Sequence, residues 1–534
     1  MNNKFLSLIY PSADLCEKHA QGSLRPNISE DVSIELGLSD TVDMKNGNIS
    51  EYYTSDRETI EYRQKTFADI MNIPGLSDAL AHALPILCDI LELRRLSGEL
   101  RDASDNYLYS ITEIELYVHV IDVLYNEMST VKDEIKSPAF HSLFSMIEEL
   151  ATGSYYTELN ENLKKLTSRI REVRSVTVGV NLDSQMRPVE AGIISVNSEK
   201  FKSGKTLDKI LRLSFKNDSF TCIASLTPFG GGESDNQKEA LVGAFMRGIS
   251  EVYRHSVKDW RRIAGEYVLD NTDFLLRLLP EIEFVSKCSD VIRSLKDRGY
   301  KLTFPTICDM DKKTFSAKAL YNPDVALRTE SKIVDNDFEF DDNGRIYILS
   351  GPNRGGKSVI TCAVGLAQAM TQLGMPVCAD EASVSPCDAI FTHFPEGADD
   401  TIDKGRLGEE CSRLCEIFDK VTDKSMVLLD ESLSSTGAYE ASYIAAEILA
   451  GFATVGCRGI FSTHLHELAS RIDEINERSV SNGGVRVDTL VAGIEDGERS
   501  FKIYRRKPEG KSYARDIADR YGLSFESIIN RRRK

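Results

Sequence analysis

The sequence predicts an α/β domain over residues 301–534, preceded over residues 1–300 by a mainly α-helical region with a small β-containing insertion. Three observations support this division. Apolar residues recur at helical spacing from about residue 54 to residue 173. Beyond residue 301, short β-branched runs alternate with helical patterns, and a glycine-rich loop separates one predicted strand from the helix that follows. The 534 residues are enough to bury more than one hydrophobic core.

The helical region shows its periodicity most clearly near the middle. Phe140, Leu143, Ile147 and Leu150 are spaced three or four residues apart, which places them on one face of a helix. Glycine and proline interrupt this part of the sequence only rarely, so we expect long packed helices.

The pattern changes over residues 175–226. Short β-branched or aromatic runs, separated by polar turns, predict strands that begin near Val176, Gly192 and Phe220. The glycine-rich stretch that follows, residues 228–236, has the composition of a linker. We therefore expect a small β-containing insertion and a linker before the helical pattern resumes.

The composition argues against some classes of protein. Charged residues make up 28% and hydrophobic residues 41% of the chain, and the formal net charge is −18. A phosphate backbone attracts basic surfaces, so this charge disfavours a protein that coats nucleic acid indiscriminately. The net charge does not exclude local contact with DNA or RNA through basic stretches of the sequence. Such stretches are as typical of solvated helix faces and a chain end as of nucleic-acid contact. These stretches are residues 254–262, 502–511 and 531–534.

Export and membrane signals are expected to be absent. No apolar stretch approaches the roughly 18 residues that a membrane-spanning helix requires, and the amino-terminal residues are too weakly apolar for a secretory signal. We therefore expect a cytoplasmic protein without membrane contact, whose 11 cysteines are reduced. Cys411 and Cys415 lie one helical turn apart but lack the matching second pair of a structural zinc site.

The motif with the clearest chemical meaning is Gly351-Pro-Asn-Arg-Gly-Gly-Lys-Ser358, which fits the phosphate-binding pattern G-x-x-x-x-G-K-[ST]. Residues 345–350 before it are apolar and β-prone, and residues 359–373 after it have a helical pattern nearly free of charge. Glycines let backbone N–H groups point into such a loop, and the helix adds the positive end of its dipole. The sequence therefore predicts a P-loop that binds ATP.

Two side chains of this loop have predicted roles of their own. Lys357 is expected to reach the β- and γ-phosphates, and the hydroxyl of Ser358 is expected to coordinate Mg²⁺. The cofactors implied are thus ATP and Mg²⁺. The predicted nucleotide-binding residues are Gly351, Pro352, Asn353, Arg354, Gly355, Gly356, Lys357 and Ser358.

A second element, Ser425-Met-Val-Leu-Leu-Asp-Glu431, follows about 70 residues later. Its four apolar residues predict a buried strand that ends in two carboxylates. At this distance from a P-loop the pattern fits a parallel sheet. We expect Asp430 to coordinate Mg²⁺ and Glu431 to act as the general base that activates the attacking water.

A third element, Arg458-Gly-Ile-Phe-Ser-Thr-His464, is another predicted strand that ends in a polar turn. His464 is expected to sense the γ-phosphate or to position the attacking water. His466 and Glu467 offer the alternative of a metal site that includes His464. Taken together, the three elements predict slow ATP hydrolysis rather than binding alone.

These elements resemble the motifs of the MutS family of DNA mismatch-repair ATPases. The loop resembles the family's G-P-N-x-G-G-K-[ST], and Asp430-Glu-Ser-Leu-Ser-Ser-Thr436 resembles its D-E-x-x-x-x-T segment. Ser462-Thr-His464 is similar to the [AS]-T-H switch of the family, and Lys511-Ser-Tyr-Ala514 is similar to its K-S-Y-[GA] segment. Four motifs in the same order make the resemblance specific, and the helical region is similar to the family's core and lever domain.

The resemblance implies an ABC-type ATPase that works as a head-to-head homodimer. Each nucleotide would lie between the P-loop of one subunit and a signature segment of the other subunit. Asn353 of the P-loop would approach the γ-phosphate, and the signature segment is expected within residues 397–410. The nucleotide state would then move the helical levers. Leu407 and Gly408 stand where repair proteins have Ser-Thr, so a serine hydroxyl is missing from this contact, and Gly408 offers a backbone N–H instead.

The resemblance predicts a nucleotide-switched clamp that binds DNA, in mismatch repair or related processing of DNA structures. Mismatch sensors of this family carry a recognition domain with a Phe-x-Glu wedge and then a connector domain, and too few residues precede the lever helices to hold both. We therefore expect DNA binding without direct mismatch readout. The net charge of −18 favours an alternative, an interaction protein whose levers grip a protein or ribonucleoprotein partner such as the ribosome.

Overall fold

The α/β region predicted for the carboxyl-terminal part of the chain contains two mixed β-sheets flanked by helices. The predicted mixed α/β class is confirmed, since strands form where short apolar and β-branched runs occur. This computed structural model describes residues 5–45, 47–99, 107–170, 175–185, 188–197, 202–203, 221–222, 257–330, 333–394, 406–433, 436–495, 498–508, 521–523 and 525–532.

The secondary structure consists of strands and helices numbered here in chain order. The strands are β1 (Ser175–Leu182), β2 (Pro188–Asn197), β3 (Lys202–Ser203), β4 (Thr221–Cys222), β5 (Thr306–Ile307), β6 (Phe315–Leu320), β7 (Asn336–Phe340), β8 (Ile346–Ser350), β9 (Glu381–Val384), β10 (Ile390–His393), β11 (Met426–Asp430), β12 (Arg458–Ser462), β13 (Val487–Glu495) and β14 (Glu498–Arg505). The helices are α1 (Ala13–Ala20), α2 (Glu30–Glu35), α3 (Leu38–Thr41), α4 (Arg57–Asn72), α5 (Pro74–Glu99), α6 (Tyr107–Val131), α7 (Pro138–Thr152), α8 (Ser154–Ile170), α9 (Val257–Asp297), α10 (Pro323–Arg328), α11 (Lys357–Leu373), α12 (Arg406–Lys420), α13 (Ala438–Val455), α14 (His466–Ser470), α15 (Ile472–Ser481) and α16 (Phe525–Arg532).

The chain divides into two units that differ in content. The first unit comprises residues 1–77, 134–141 and 280–534, and the second comprises residues 78–133 and 142–279. Both sheets of the α/β region lie in the first unit. The sequence predicts a helical region over residues 1–300, and residues 1–77 of that region belong to the first unit.

The larger sheet of the first unit has 6 strands in the order β10-β11-β12-β8-β13-β14. All neighbours pair in parallel except β13 and β14, which are antiparallel. In the register of the parallel strands, Asp430 is level with Ser462, and Ser462 is level with Leu349. The carboxyl ends of three neighbouring strands therefore meet at one edge of the sheet.

The two faces of this sheet have different partners. On one face, Val427, Leu429 and Phe461 belong to an apolar cluster with residues of α12, α13 and α15. Side chains alternate between faces along a strand, so Leu428 and Asp430 point to the opposite face. Helix α11 covers that face, because a Cβ added to Gly365 of α11 would lie 2.6 Å from Leu428. The smaller sheet has 4 strands in the order β5-β9-β6-β7.

The amino-terminal segment is built into the first unit through backbone contacts. The amide of Asn27 donates to the carbonyl of Asp388 at 2.7 Å, and its carbonyl accepts from Ile390 at 3.2 Å, beside the outer strand β10. Farther along, the amide of Thr54 donates to the carbonyl of Gln372 at 3.1 Å. The segment thus runs along the sheet and α11 before the first long helix begins.

Gly374, which ends α11, makes a testable contribution to this packing. Its φ is +80°, and a Cβ there would lie 2.3 Å from the Cβ of Arg63. We expect Gly374→Ala to lower the free energy of unfolding by about 2–5 kcal/mol, from backbone strain and overpacking together. Urea unfolding followed by circular dichroism measures this loss.

A matched control separates the strain from the contact. Gly483 has a similar φ of +76°, but a Cβ there would meet nothing within 4 Å. Gly483→Ala should therefore cost only the conformational strain, about 1–2 kcal/mol. Equal losses in the two variants would contradict the packing argument.

A buried polar cluster holds the first described residues against α4 and α9. Arg63 is 0% exposed, and its Nε donates to the carbonyl of Ile9 at 3.1 Å. The carboxylate of Glu281 accepts from the hydroxyl of Ser7 at 2.8 Å and from the amide of Leu8 at 2.6 Å. Burial raises the pKa of Glu281 to about 7, although both hydrogen bonds and Arg63 oppose the shift.

A second titratable group, His19, lies in the same cluster and responds to pH in the opposite sense. One ring nitrogen is 2.8 Å from the hydroxyl of Tyr10, and the other is 2.9 Å from the carbonyl of Tyr53. Burial lowers the pKa of His19 to about 4. The folded protein therefore excludes a proton from His19 and retains one on Glu281 across a mildly acidic range.

Removing the charge of Glu281 is expected to change how stability depends on pH. The folded pKa of about 7 lies above the ordinary value of 4.5, so the folded state binds the extra proton and loses stability as pH rises between these values. Glu281→Gln keeps a hydrogen-bond acceptor and removes this loss. The free energy of unfolding of the Glu281→Gln protein minus that of the unchanged protein should therefore increase by up to about 3 kcal/mol between pH 4.5 and pH 7.

Urea unfolding at several pH values measures this difference. Glu51 is exposed, and Glu51→Gln serves as the control. The difference in free energy of unfolding between this control and the unchanged protein should not vary with pH. The Glu281→Gln protein keeps the contribution of His19, which makes the folded state less stable as pH falls. That protein should therefore lose stability more steeply as pH falls from 6.5 to about 4. If the difference in free energy of unfolding between Glu281→Gln and the unchanged protein did not vary with pH, the raised pKa of Glu281 would be contradicted.

The second unit is mainly helical, and its strands lie in the segment where the β-containing insertion is predicted. Strands β1 and β2 form an antiparallel pair, and β3 pairs with β4 in parallel. Between helices, Arg94 donates to Glu113 at 2.7 Å. The predicted linker, residues 228–236, lies outside the described residues. Among the helices that the structure describes, none combines the length and apolarity needed to cross a membrane.

Candidate functional site

The predicted phosphate loop connects the central strand β8 to helix α11. Strand β8 is buried along its whole length, and α11 begins at Lys357. Gly351 has a φ of +144°, and a Cβ there would lie 2.7 Å from the Cβ of Ala492 on β13. Gly356 has a φ of +92° directly before the helix. Both glycines are thus required by the backbone of the loop, which turns at the carboxyl edge of the sheet.

The remaining loop residues differ in exposure. Asn353 and Arg354 are exposed, and Arg354 has a φ of +60°, which is uncommon for a residue with a side chain. Gly355 is buried, and Pro352 accepts a backbone hydrogen bond from it at 3.1 Å. Ser358 is exposed in the first turn of α11, where its hydroxyl is accessible.

Lys357 lies inside the loop with its side chain only 4% exposed. Its Nζ donates to the carbonyls of Gly351 and Pro352, each at 3.2 Å. Burial lowers the pKa of Lys357 below its ordinary value, and the carboxylates of Glu431 and Asp430 act against this shift. The loop therefore encloses the ammonium group of Lys357. Its nearest carboxylates come from the end of β11, which is separated from β8 by β12 in the sheet.

Asp430 is the last residue of β11 and is buried, with 6% exposure. Its Oδ1 has no hydrogen-bond partner among the described residues. A buried carboxylate oxygen without a partner is costly unless a cation or water satisfies it. Together with the hydroxyl of Ser358, this oxygen fits Mg²⁺, which takes few ligands from the protein and the rest from phosphates and water.

Glu431 and His464 follow their strands at the same edge. The Oε1 of Glu431 is 4.0 Å from Nζ of Lys357 and 4.0 Å from Nδ1 of His464. Glu431 has a φ of +47°, and its amide donates to the carbonyl of Ser462 at 2.8 Å. This left-handed turn directs the carboxylate away from the strand, so the structure brings the carboxylate, the lysine and the histidine together.

The alternative metal sites gain no support from the described residues. Glu467 is exposed on α14, and the side chain of His466 lies outside the described part. Cys411 is half-buried and Cys415 is exposed on α12. No group of three His, Cys, Asp or Glu side chains suited to a metal ion occurs within the part of the chain that the structure describes.

A cavity of about 400 Å³ adjoins the loop and α11. Its walls include Gly356, Lys357 and Ser358, and also Glu431. The other walls are mostly apolar residues that no motif of the sequence links to the site, because they come from segments distant in the chain. These include Leu320, Tyr321, Val325, Ile333, Val334 and Phe501.

Two buried asparagines fix the shape of this cavity. No motif in the sequence indicates that these two residues have this role. Asn322 donates to the carbonyl of Val359 at 3.3 Å and accepts from the amide of Val325 at 3.1 Å. Asn336 donates to the carbonyl of Phe501 at 3.2 Å and accepts from the amide of Ile503 at 2.7 Å. Their amides are occupied by the backbone, so they shape the walls and leave the contact surface largely apolar.

Two predicted segments are only partly described. Residues 395–405 lie outside the described residues, and Leu407 and Gly408 are in the first turn of α12. Residues 509–520, which hold the predicted carboxyl-terminal motif, also lie outside them. The proposed trans contact therefore stays a prediction.

Comparison with known protein families yields two matches. Residues 347–531 match the family described as MutS domain V. Residues 55–298 match the family described as MutS2 N-terminal domain. The first match includes the loop, Asp430, Glu431 and His464, and the second covers most of the helical region.

Individual relatives include proteins described as DNA mismatch repair protein MutS. The one from Thermosipho melanesiensis is 36% identical over 190 residues, which cover 34% of this chain and 23% of the relative. The one from Prochlorococcus marinus strain MIT 9301 is 35% identical over 243 residues, or 44% of this chain and 26% of the relative. The one from Fervidobacterium nodosum is 32% identical over 238 residues, or 43% of this chain and 27% of the relative.

The match therefore spans about a quarter of the length of these relatives. The two family matches lie in succession along the chain, and one is described as MutS and the other as MutS2. On this basis the chain resembles the MutS family over both matched stretches, residues 55–298 and residues 347–531.

Proposed function

We propose that the chain is a Mg²⁺-dependent ATPase whose nucleotide state drives a clamp that binds DNA. The observation that carries the proposal is that Lys357 and His464 each lie 4.0 Å from the carboxylate of Glu431 at the carboxyl edge of the sheet. Beside them is a buried carboxylate oxygen of Asp430 without a partner among the described residues. Ligands of open α/β sheets bind at this edge. The match of residues 347–531 to MutS domain V supports the same reaction.

The proposed binding of ATP uses two neighbouring regions. The phosphates lie at the amino-terminal end of α11, where backbone N–H groups and the helix dipole favour negative charge. The nucleoside occupies the adjoining cavity, whose volume of about 400 Å³ and apolar walls suit a base. Lys357 leaves its contacts with the carbonyls of Gly351 and Pro352 to bind the phosphates. Mg²⁺, when bound through Ser358 and Asp430, supplies neutralisation of phosphate charge.

The proposed hydrolysis depends on the group that accepts a proton from water. Glu431 is that general base, because its carboxylate is partly exposed and lies beside the phosphate-binding lysine. His464 is close enough to help place the water or the γ-phosphate. Lys357 holds the β- and γ-phosphates while water attacks the γ-phosphorus, the bond from that phosphorus to the β–γ bridging oxygen breaks, and ADP leaves.

The proposed dimer and its DNA target rest on the family. Two copies would enclose each nucleotide between a P-loop and the segment that precedes α12, with the backbone N–H of Gly408 in place of a side-chain hydroxyl. Closure on ATP would shift the helices that follow Asp56 and so grip DNA. Binding without direct mismatch readout stays part of this proposal.

One experiment tests the proposal as a whole. ATP turnover is measured with Mg²⁺ or with EDTA, alone and with a panel of matched duplex, mismatched duplex, branched DNA, single-stranded DNA and structured RNA. We expect turnover only with Mg²⁺ and a change of rate with duplex or branched DNA that weakens as salt rises. No turnover would contradict the ATPase, and no response or binding to any DNA at low salt would contradict the clamp.

The net charge of −18 favours a second candidate, a nucleotide-switched protein that acts on a protein or ribonucleoprotein partner such as the ribosome. An acidic chain has less long-range attraction to bare nucleic acid. Co-sedimentation of the Glu431→Gln protein with purified ribosomes, with and without ATP, distinguishes the two. ATP-dependent co-sedimentation together with no response to DNA would select the second candidate.

A further inference from the structure

The hydroxyl of Ser462 is a buried polar group that the proposed reaction does not yet use. Ser462 ends β12 and is 0% exposed. Its Oγ has no hydrogen-bond partner in the part of the chain that the structure describes. Buried hydroxyls nearly always have a partner, from the protein or from ordered water. The position of this group indicates what its partner is.

Ser462 is level with Asp430 on the neighbouring strand, and the two strands run in parallel. Paired residues of parallel strands direct their side chains to the same face. Phe461, the preceding residue, belongs to the apolar cluster on the opposite face. Ser462 therefore points, like Asp430, to the face that α11 and the phosphate loop cover.

The two side chains thus present neighbouring oxygens that both lack a partner among the described residues. One is a carboxylate oxygen that only accepts hydrogen bonds, and the other is a hydroxyl that both donates and accepts. A water molecule has donors for both oxygens. Mg²⁺ in proteins usually keeps several water ligands, which require such acceptors around the ion.

We propose that Ser462 is a positioning residue that binds a water molecule of the Mg²⁺ shell and so strengthens the coupling between Mg²⁺ and nucleotide. This inference rests on the proposed Mg²⁺-dependent ATP site. It gives the hydroxyl a role that is separate from the carboxylate of Asp430 and the hydroxyl of Ser358, which bind the ion directly. Groups that orient the ligands of a metal commonly change its affinity by about 10- to 100-fold.

The test compares two serine-to-alanine variants. Ser442 on α13 is the matched control, because it is buried at 3% exposure and its Oγ also lacks a hydrogen-bond partner among the described residues. Ser442 lies on the helix that covers the other face of the sheet. Removing either hydroxyl leaves no partner unsatisfied among the residues that the structure describes. The midpoint temperature of unfolding without Mg²⁺ and nucleotide should therefore be unchanged or slightly higher in both variants.

The readout is the affinity for a non-hydrolysable ATP analogue, measured by calorimetry with Mg²⁺ and with EDTA. The ratio of the two dissociation constants gives the coupling. Ser462→Ala should reduce this ratio by roughly 10-fold or more, while Ser442→Ala and the unchanged protein should agree. Ser462→Thr, which keeps the hydroxyl on a β-branched side chain suited to a strand, should restore most of the ratio.

Each other outcome has a definite meaning. Equal ratios in Ser462→Ala and Ser442→Ala would overturn the inference and leave the proposed function standing. Strong destabilisation by Ser462→Ala without the ligands would assign the hydroxyl a structural role and would also overturn it. The absence of any Mg²⁺ dependence in the unchanged protein would instead contradict the proposed function itself.

Discussion

Replacing Glu431 with glutamine is expected to lower kcat for ATP hydrolysis by a factor of about 10²–10⁴, with ATP affinity nearly unchanged. Glutamine keeps the size and the hydrogen-bonding oxygen of the side chain but cannot accept the proton of the attacking water. The carboxylate lies 4.0 Å from Lys357 and 4.0 Å from His464, so its loss removes a charge beside the phosphates without opening the loop.

Single-turnover hydrolysis and calorimetric titration with ATP measure the two quantities separately. Glu477 is exposed on α15 and provides the control, since Glu477→Gln makes the same chemical change far from the phosphate loop. The control should leave both kcat and affinity unchanged. A Glu431→Gln protein that hydrolyses ATP at the normal rate would refute the assignment of Glu431 as general base.

Replacing Lys357 with methionine is expected to weaken ATP binding by roughly 10- to 100-fold, the loss of one charge-assisted hydrogen bond, and to abolish turnover. Methionine has a similar length and no charge, so it fills the buried position without the desolvation cost that lowers the pKa of Lys357. The carbonyls of Gly351 and Pro352 lose a donor in this variant, which lowers its stability as well.

Calorimetry with Mg²⁺ and ATP measures this effect, and circular dichroism checks that the variant folds. Lys312 is 67% exposed in the same unit, and Lys312→Met controls for the general loss of one positive charge. Surface charge alone should change affinity only slightly. If both variants bind ATP as the unchanged protein does, Lys357 is not the phosphate ligand.

Local patterns predicted the backbone of the glycine-rich loop and its flanking strand and helix. The glycines at 351 and 356 both have the positive φ that a glycine motif implies, and the strand and helix begin and end near the expected residues. The same holds for the buried strand before Asp430, whose four apolar residues were visible in the sequence. These features depend on neighbours in the chain. The chemical roles of Lys357, Glu431 and His464 stay predictions.

Long-range contacts could not be predicted in this way. Asn27 pairs beside β10, more than 300 residues away, and no local preference of Asn27 indicates that partner. The wall formed by Phe501 likewise depends on a φ of +57° and on the amide of Asn336. For the same reason, residues 1–77 fell into the predicted helical region although they lie in the unit of the sheets.

The pairing of Asn27 beside β10 has a consequence for truncated forms of the protein. The family match to the helical region begins at residue 55, which makes that residue an obvious place to start a shortened chain. Such a chain would lack the segment that occupies the outer side of β10 and would expose the backbone amide of Ile390. An uncovered edge strand is a template for pairing with another molecule. Shortened proteins that begin there are therefore prone to aggregate even when every residue of the nucleotide site is present.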